Sequence, residues 1–526
     1  MADLMQTDVD YLVIGAGPAG LQLAYYLEQS GVNYLVIEAG QSAGEFFRAF
    51  PRHGKLISIN KPNTGGKKAE VALRYDWNSL LCGDESLRFT SYSRRYLPPA
   101  EELTRYLADF AAEFSLKVRY GVRVSRVEKT GRFEVFTECG SQYAARRLIV
   151  ATGLSQARIP PIPGIEHAEQ YSDYVTDPET FTDQRVLVIG KGNSAFEVAE
   201  SLTDSAATIH LASPSPVRFA WQSRYVGHLR AVNNNFLDTY HLKSQNAILD
   251  AEVTRIERCD DRYLVSFLYT HANGERIKKT YDRVIACTGF RFDDSLFAAS
   301  CRPALCHDGR YPAQTSSWES VNVPGLFFAG TLMHARDYRK TMSGFIHGFR
   351  YNVRFLADLL GSKESGRPLP SQEVSISHAL TDLVLSRINT SSAMFLQPGY
   401  LGDVFTVDED DGCVRHYRDI PIDYVFDSEL SAGRWYSVTL EYGPEAEDPF
   451  NIERDTDPAW AKFAPFLHPV IRGFRGTTEI SQLHLLEDLE NEYTVEKCGR
   501  LLSQFLDREL GHFRRRFDRA VQWPSP

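Results

Sequence analysis

The residues of this chain best suited to chemistry are two glycine turns about 175 residues apart. The first lies in Tyr11-Leu-Val-Ile-Gly-Ala-Gly-Pro-Ala-Gly20, the second in Arg185-Val-Leu-Val-Ile-Gly-Lys-Gly-Asn-Ser-Ala195. Each follows a short apolar run and precedes a helical pattern, the context in which backbone amides meet a pyrophosphate at a helix N-terminus. Gly15 and Gly190 allow the tight turn, Gly17 and Gly192 the close approach, and Gly20 and Ala195 the packing of helix on strand. Pro18, Ala19, Asn193 and Ser194 belong to the same two cradles.

The residue 23 positions beyond the leading glycine separates the two turns: Glu38 follows Gly15, and Ser213 follows Gly190. Glu38, with Ala39 beside it, ends a second strand, Tyr34–Ile37, where a carboxylate can accept from both hydroxyls of an adenosine ribose. Around Ser213 the local sequence offers Ser215 and Arg218 and no carboxylate, a set that holds a 2′-phosphate and favours NADPH over NADH. A difference in loop length between the two folds would remove that contrast.

Other segments must position these turns. Arg147-Leu-Ile-Val-Ala-Thr-Gly153 and Arg283-Val-Ile-Ala-Cys-Thr-Gly289 are each a strand ending in a small-residue turn. They carry the chain beneath a cofactor, with Gly153, Thr288 and Gly289 at the crossings. The expected order is a first dinucleotide fold over residues 1–154, an inserted one over 155–290, and resumption of the first over 291–360. Pro324-Gly-Leu-Phe-Phe-Ala-Gly330 reads as a buried strand and Gly344–Phe355 as a helix, its N-terminus pointing at a bound ring, with Gly330, Thr331 and Gly344 in contact. A composition change over Gly361–Pro370 precedes residues 371–526, where alternating runs such as Trp435–Tyr442 and a final amphipathic helix (Leu501, Leu502, Phe505, Leu506, Leu510) predict an α+β extension. The fold class is α/β, two Rossmann-type domains with that extension; the extension serves as a lid, a homodimer surface or a surface for a protein partner.

Composition narrows the setting. A chain of 526 residues with 43% hydrophobic and 24% charged residues is ordinary for a globular protein of more than one domain. Net charge of −10 gives no reason to expect nucleic acid or an anionic membrane surface. The first nine residues are polar, Val521–Pro526 carries no lipidation or retention signal, and no run approaches the roughly 20 apolar residues of a membrane span, so a cytoplasmic protein is expected. The eight cysteines form no C-x-x-C pair, and no metal site is expected; Cys301 and Cys306 read as unpaired loop thiols.

The two turns, the Ala-Thr-Gly links and the stretch Leu87–Leu107 together resemble the flavin-containing monooxygenase superfamily over roughly residues 10 to 355. A second resemblance, to a flavoprotein of the endoplasmic reticulum, runs over nearly the whole chain in Pro51–Lys61, Arg74–Leu81, Gly190–Glu197, Met333–Tyr338, Gly344–Tyr351 and Phe466–Ile471. The resemblance implies FAD on the first turn and NAD(P)H on the second. It departs at the monooxygenase linker, where Ile165, His167 and Tyr171 replace the usual residues.

Three functions follow from it. The leading one is an NAD(P)H-using single-component monooxygenase, in which O₂ and a C4a-hydroperoxyflavin oxygenate a nitrogen or sulfur of a small molecule, acidic or neutral. The others are a reductase that passes electrons to an external acceptor and a flavin-bound scaffold for a protein partner. In the first, Asn78 presents an amide to the oxygen species and Trp77 shields the ring, unless Asn78 only satisfies its own turn. The flavin lies against the segment from Asn60 to Asn78, with Asn60 among its contacts. The cluster His334, Arg336, Tyr338, Arg339 and Lys340 either clamps an acidic group near the ring, through Arg336 above all, or forms a solvated loop with salt bridges.

Overall fold

The computed structural model describes residues 7–520 except 62, 65–67, 375–377, 410–411 and 446–450; at 378 and 512–520 it describes the backbone alone. Residues 1–6 and the segment Val521–Pro526 lie outside the described residues. Short apolar runs with turn residues at both ends become strands buried on both faces: Tyr34–Ile37 is buried throughout, as are Tyr11–Ile14 of the strand Thr7–Ile14.

These two strands are central to a seven-stranded sheet. Its spatial order is 118–119, 34–37, 7–14, 142–150, 133–137 and 124–129, with Leu326–Phe328 also pairing along 148–150. The first four are parallel, and the helix Pro18–Gln29 makes the crossover that parallel pairing requires. A second seven-stranded sheet runs 276–281, 262–269, 247–259, 208–213, 185–189, 283–286 and 169–170, parallel at the glycine turn. Where the chain passes between the sheets, Gln156–Ala157 and Phe290–Arg291 pair antiparallel with each other, so both crossings lie side by side.

The helix expected over Gly344–Phe355 spans Ile346–Ser365 and stops at Gly366, a left-handed C-cap. The composition change at Gly361 therefore falls inside a helix. It packs against Pro18–Gln29, bringing its N-terminus to the first glycine turn.

Beyond it a six-stranded sheet is antiparallel throughout, in the order 372–374, 414–421, 401–407, 434–442, 467–475 and 478–484. Trp435–Tyr442, read from sequence as alternating, is buried from Trp435 to Leu440. The reason is that both faces are covered. Phe405, Tyr436, Val438 and Ile471 pack with Leu502, Phe505, Leu506 and Leu510 of the final helix. Val404, Tyr417, Trp435 and Phe474 share one hydrophobic core with Tyr11, Val36, Phe355 and Leu359 of the first dinucleotide fold.

Candidate active site

Both glycine turns open onto one cavity of about 1660 Å³. At the first, a Cβ added to Gly20 would stand 1.9 Å from the Gly15 carbonyl oxygen, so only glycine lets the helix close on the strand. A Cβ at Gly17 would meet nothing within 4 Å, so the backbone before the helix faces open space. Glu38 lines the cavity and accepts from the Ala16 amide at 2.7 Å and the Gly40 amide at 2.8 Å. Each oxygen is thereby fixed while keeping a lone pair for a ribose hydroxyl. Pro18, Ala19, Ala39 and Gly153 complete this wall.

The second turn repeats the plan. A Cβ at Gly190 would lie 2.3 Å from the Cys287 carbonyl, Gly192 again faces open space, and Ala195 is buried between helix and strand. Asn193 reaches the cavity with its amide already used: it donates to the His228 carbonyl at 2.8 Å and accepts from the Arg230 amide at 2.9 Å. It staples the 228–233 loop. Ser194, Ser213, Ser215, Arg218, Thr288 and Gly289 line the same end. The expectation of a site without carboxylates needs correcting, because on the next strand Glu252 lines the cavity and Asp250 pairs in register with Ser213. Its charge is met by Lys191, whose amine is buried and bonded to Asp250. Burial lowers the Lys191 pKa, and Asp250 opposes that shift.

Between the turns stands the segment 73–79. Arg350, fully buried, donates to the carbonyls of Asp76 at 2.9 Å, Ser79 at 2.7 Å and Leu73 at 2.8 Å. The Asp76 carboxylate accepts from the amides of Asn78 at 3.2 Å and Ser79 at 3.0 Å, so the turn is satisfied by Asp76. The Asn78 side chain is left for the cavity it lines. Its Oδ1 accepts from the Ser58 hydroxyl at 2.6 Å, and its Nδ2, buried, has no partner. Beside it the Trp77 indole stacks on His347 with ring centroids 4.1 Å apart, and His347 Nε2 is likewise buried without a partner. Burial, with Arg350 and Arg230 nearby, holds His347 far below the usual histidine range and keeps it neutral.

The second support of this wall comes from the C-terminal region. Arg74 donates to the carbonyls of Ile388 at 3.1 Å and Asn389 at 2.9 Å. Gln397 accepts from the Met342 amide at 2.8 Å and donates to Ser343 Oγ at 3.0 Å, fixing the turn that carries Gly344. Gly330, Thr331 and Gly344 line the cavity there.

Two expected residues do not reach it. Asn60 lies buried outside the lining, where its amide donates to the carbonyls of Ser93 at 2.6 Å and Arg95 at 3.2 Å. Arg336 faces the other way, bonded to Asp423 at 2.7 Å and the Gln314 carbonyl at 3.0 Å. It ties the loop after Leu326–Phe328 to the C-terminal region, and of its cluster His334, Tyr338 and Arg339 reach the cavity. Tyr225, Ser58 and His347 also line it; no spacing rule marks the first two, and His347 was legible only within the matched string Gly344–Tyr351.

A family model for pyridine nucleotide-disulphide oxidoreductases matches residues 12–330, both glycine turns included. The chain belongs to this family. FAD-dependent oxidoreductase domain-containing protein 2 of Mus musculus is 37% identical over 568 residues, covering 96% of this chain and 85% of the mouse protein. Two solved structures share the fold: a flavin-containing monooxygenase from Stenotrophomonas maltophilia (TM-score 0.53, 22% identical) and the bacillithiol disulfide reductase Bdr of Staphylococcus aureus (TM-score 0.51, 20% identical). Each covers 68% of this chain over its own full length. This pyridine nucleotide-disulphide oxidoreductase is an FAD-dependent flavoprotein, and its first turn fits the cofactor: a cradle open at Gly17, the anchored Glu38 carboxylate, and the buried Asn78 Nδ2 and His347 Nε2 without hydrogen-bond partners. Cys82, Cys139, Cys259, Cys287, Cys301, Cys306 and Cys498 are free thiols. No helix among the described residues is long and apolar enough to cross a membrane.

Proposed function

We propose that this flavoprotein is an NADPH-dependent, single-component monooxygenase that places one oxygen atom of O₂ on a nitrogen or sulfur of a small molecule. The observation that carries the reading is the Asn78 amide, buried, anchored at Oδ1 by Ser58 and open at Nδ2 toward the cavity. FAD, when bound, supplies the hydride and oxygen chemistry. The protein's part is to bind, orient and exclude water. The amides after Gly17 and the Glu38 carboxylate hold the dinucleotide, Ser213, Ser215 and Arg218 hold a 2′-phosphate, and Lys191 neutralises Asp250 beside them. Trp77 and His347 close the wall, and Asn78 Nδ2 is the donor that would meet oxygen once FAD is bound. A donor of that kind, preorganised in a site closed to water, contributes about 10²–10³ in rate.

An oxygenase holds oxygen after reduction, whereas a reductase gives electrons to an external acceptor and has no use for Asn78. Replacing Asn78 with Ala and timing flavin reoxidation by O₂ after NADPH reduction separates the two. The oxygenase reading expects a slow return in the wild type and one about 100-fold faster in the variant. Equal rates would remove Asn78 from the mechanism and favour the reductase, the reading that the family's disulphide-reducing members also suggest.

A further inference from the structure

Beneath the Gly344 turn lies a chain of three hydrogen-bonded side chains that neither glycine turn uses. Asp337 and His334 are 3% and 1% exposed, and Asp337 Oδ1 lies 3.1 Å from His334 Nδ1. The Arg339 amide donates to His334 Nε2 at 3.1 Å, so Nε2 holds the lone pair and Nδ1 the proton. Tyr225, from the second dinucleotide fold, lines the cavity and sets its hydroxyl 2.8 Å from the same Nε2. Because Nε2 accepts, the phenol donates, and the lone pairs of its oxygen are left over. The other Asp337 oxygen accepts from the Thr341 hydroxyl and the Ser343 amide, which fixes the carboxylate against the imidazole. A Cβ at Gly344 would stand 3.3 Å from His334 Cγ, so the imidazole lies directly against that turn.

We propose that Tyr225, His334 and Asp337 form a proton relay that deprotonates an ammonium N–H or a thiol S–H group of the molecule to be oxygenated. The substrate proton passes to the Tyr225 oxygen as the proton of Tyr225 moves to His334 Nε2. An imidazolium is left against the Asp337 carboxylate and the substrate becomes its conjugate base; one proton moves and no electrons do. This inference rests on the monooxygenase reading, because oxygen is taken by a lone pair, which an ammonium nitrogen has only after losing a proton and which a thiolate offers more readily than a thiol. The charged and titratable groups facing the relay are Tyr311, Tyr338, His228, Arg310 and Arg339. Burial raises the Tyr225 phenol above its ordinary range, so it works as a neutral link and not as a phenolate.

The test uses FAD-loaded, full-length protein with a small aminothiol, cysteamine, as the N–H and S–H probe and NADPH as reductant. Tyr225→Phe is expected to oxygenate the probe about 100-fold more slowly than wild type at neutral pH and to recover as the pH rises and the probe loses its proton unaided. A loss that stays constant with pH, or no loss, overturns the relay. Nitrogen NMR of ¹⁵N-histidine protein reads the geometry without turnover: the relay requires the Nδ1–H tautomer of His334, and an Nε2–H tautomer overturns it. Oxygen incorporation by the wild type tests the underlying reading separately: a wild type that NADPH bleaches and that forms no oxygenated probe counts against the monooxygenase, whereas the Tyr225→Phe comparison and the tautomer bear on the relay.

Discussion

At the scale of single residues, the contrast between Glu38 and Ser213 carries the assignment of the two turns. If Arg218 holds a 2′-phosphate, Arg218→Ala removes a charge-assisted hydrogen bond of roughly 1.5–3 kcal/mol. The expected result is a KM for NADPH raised about 10- to 100-fold and a KM for NADH nearly unmoved; equal effects on both would place the phosphate elsewhere. The sequence marked the backbone-binding residues because glycine spacing is a local constraint. It missed Tyr225 because the partner of that residue, His334, lies 109 positions away. It misplaced Arg336 because an arginine beside a flavin strand pairs with whichever carboxylate the fold brings up, here Asp423. Arg336→Ala should accordingly lower Tm, with a cost of about 1 kcal/mol for a pair that is partly exposed, and leave FAD and NADPH binding intact.

At the scale of elements, each glycine turn divides its positions between packing and ligand. Gly20→Ala drives a methyl into the Gly15 carbonyl, while Gly17→Ala meets no protein atom. The first variant is expected to lose stability, measured as a drop in Tm of the apoprotein. The second should fold like wild type and fail to retain FAD, measured by flavin absorbance after gel filtration. Equal behaviour of the pair would contradict the division. The strand, turn and helix around each motif were legible because hydrophobic run, glycine spacing and helical pattern agree there. The reach of Ile346–Ser365 past Gly361 was not, since a glycine in a helix and a loop glycine look alike until packing decides.

At the scale of the whole molecule, the third sheet is part of the structure that holds the cavity. Its pattern showed strands, yet a hydrophobic face does not name the surface that covers it, and here that surface is the first dinucleotide fold. The contact is also ionic. Asp419, 1% exposed at its side chain, accepts from Arg387 at 2.7 Å and from Arg354 of the helix that starts at the cavity at 2.5 Å. Asp419→Asn leaves two arginines short of an anion and is expected to cost about 3–5 kcal/mol and to weaken FAD retention, read by urea unfolding with and without flavin. Stability should also fall with acid in two stages. Burial lowers His210 and His484 to about 4 and holds His347 well below the usual histidine range, so the unfolded chain, with histidines near 6.5, binds more protons and stability drops as pH falls from about 6.5 to about 4. Below the ordinary aspartate value of about 3.9 a further loss follows from Asp403: burial alone would raise it, but Arg387 and His416 hold it below the usual range.

The most direct test of the account is a two-step stopped-flow measurement on FAD-loaded protein. Anaerobic NADPH is mixed first, oxygenated buffer second, and the flavin spectrum is followed throughout. If both turns serve one cavity lined by Asn78, NADPH bleaches the flavin, and oxygen restores it through a transient that absorbs between the oxidised and reduced forms. A flavin that NADPH does not bleach, or that oxygen restores in one step with no transient, would contradict the account.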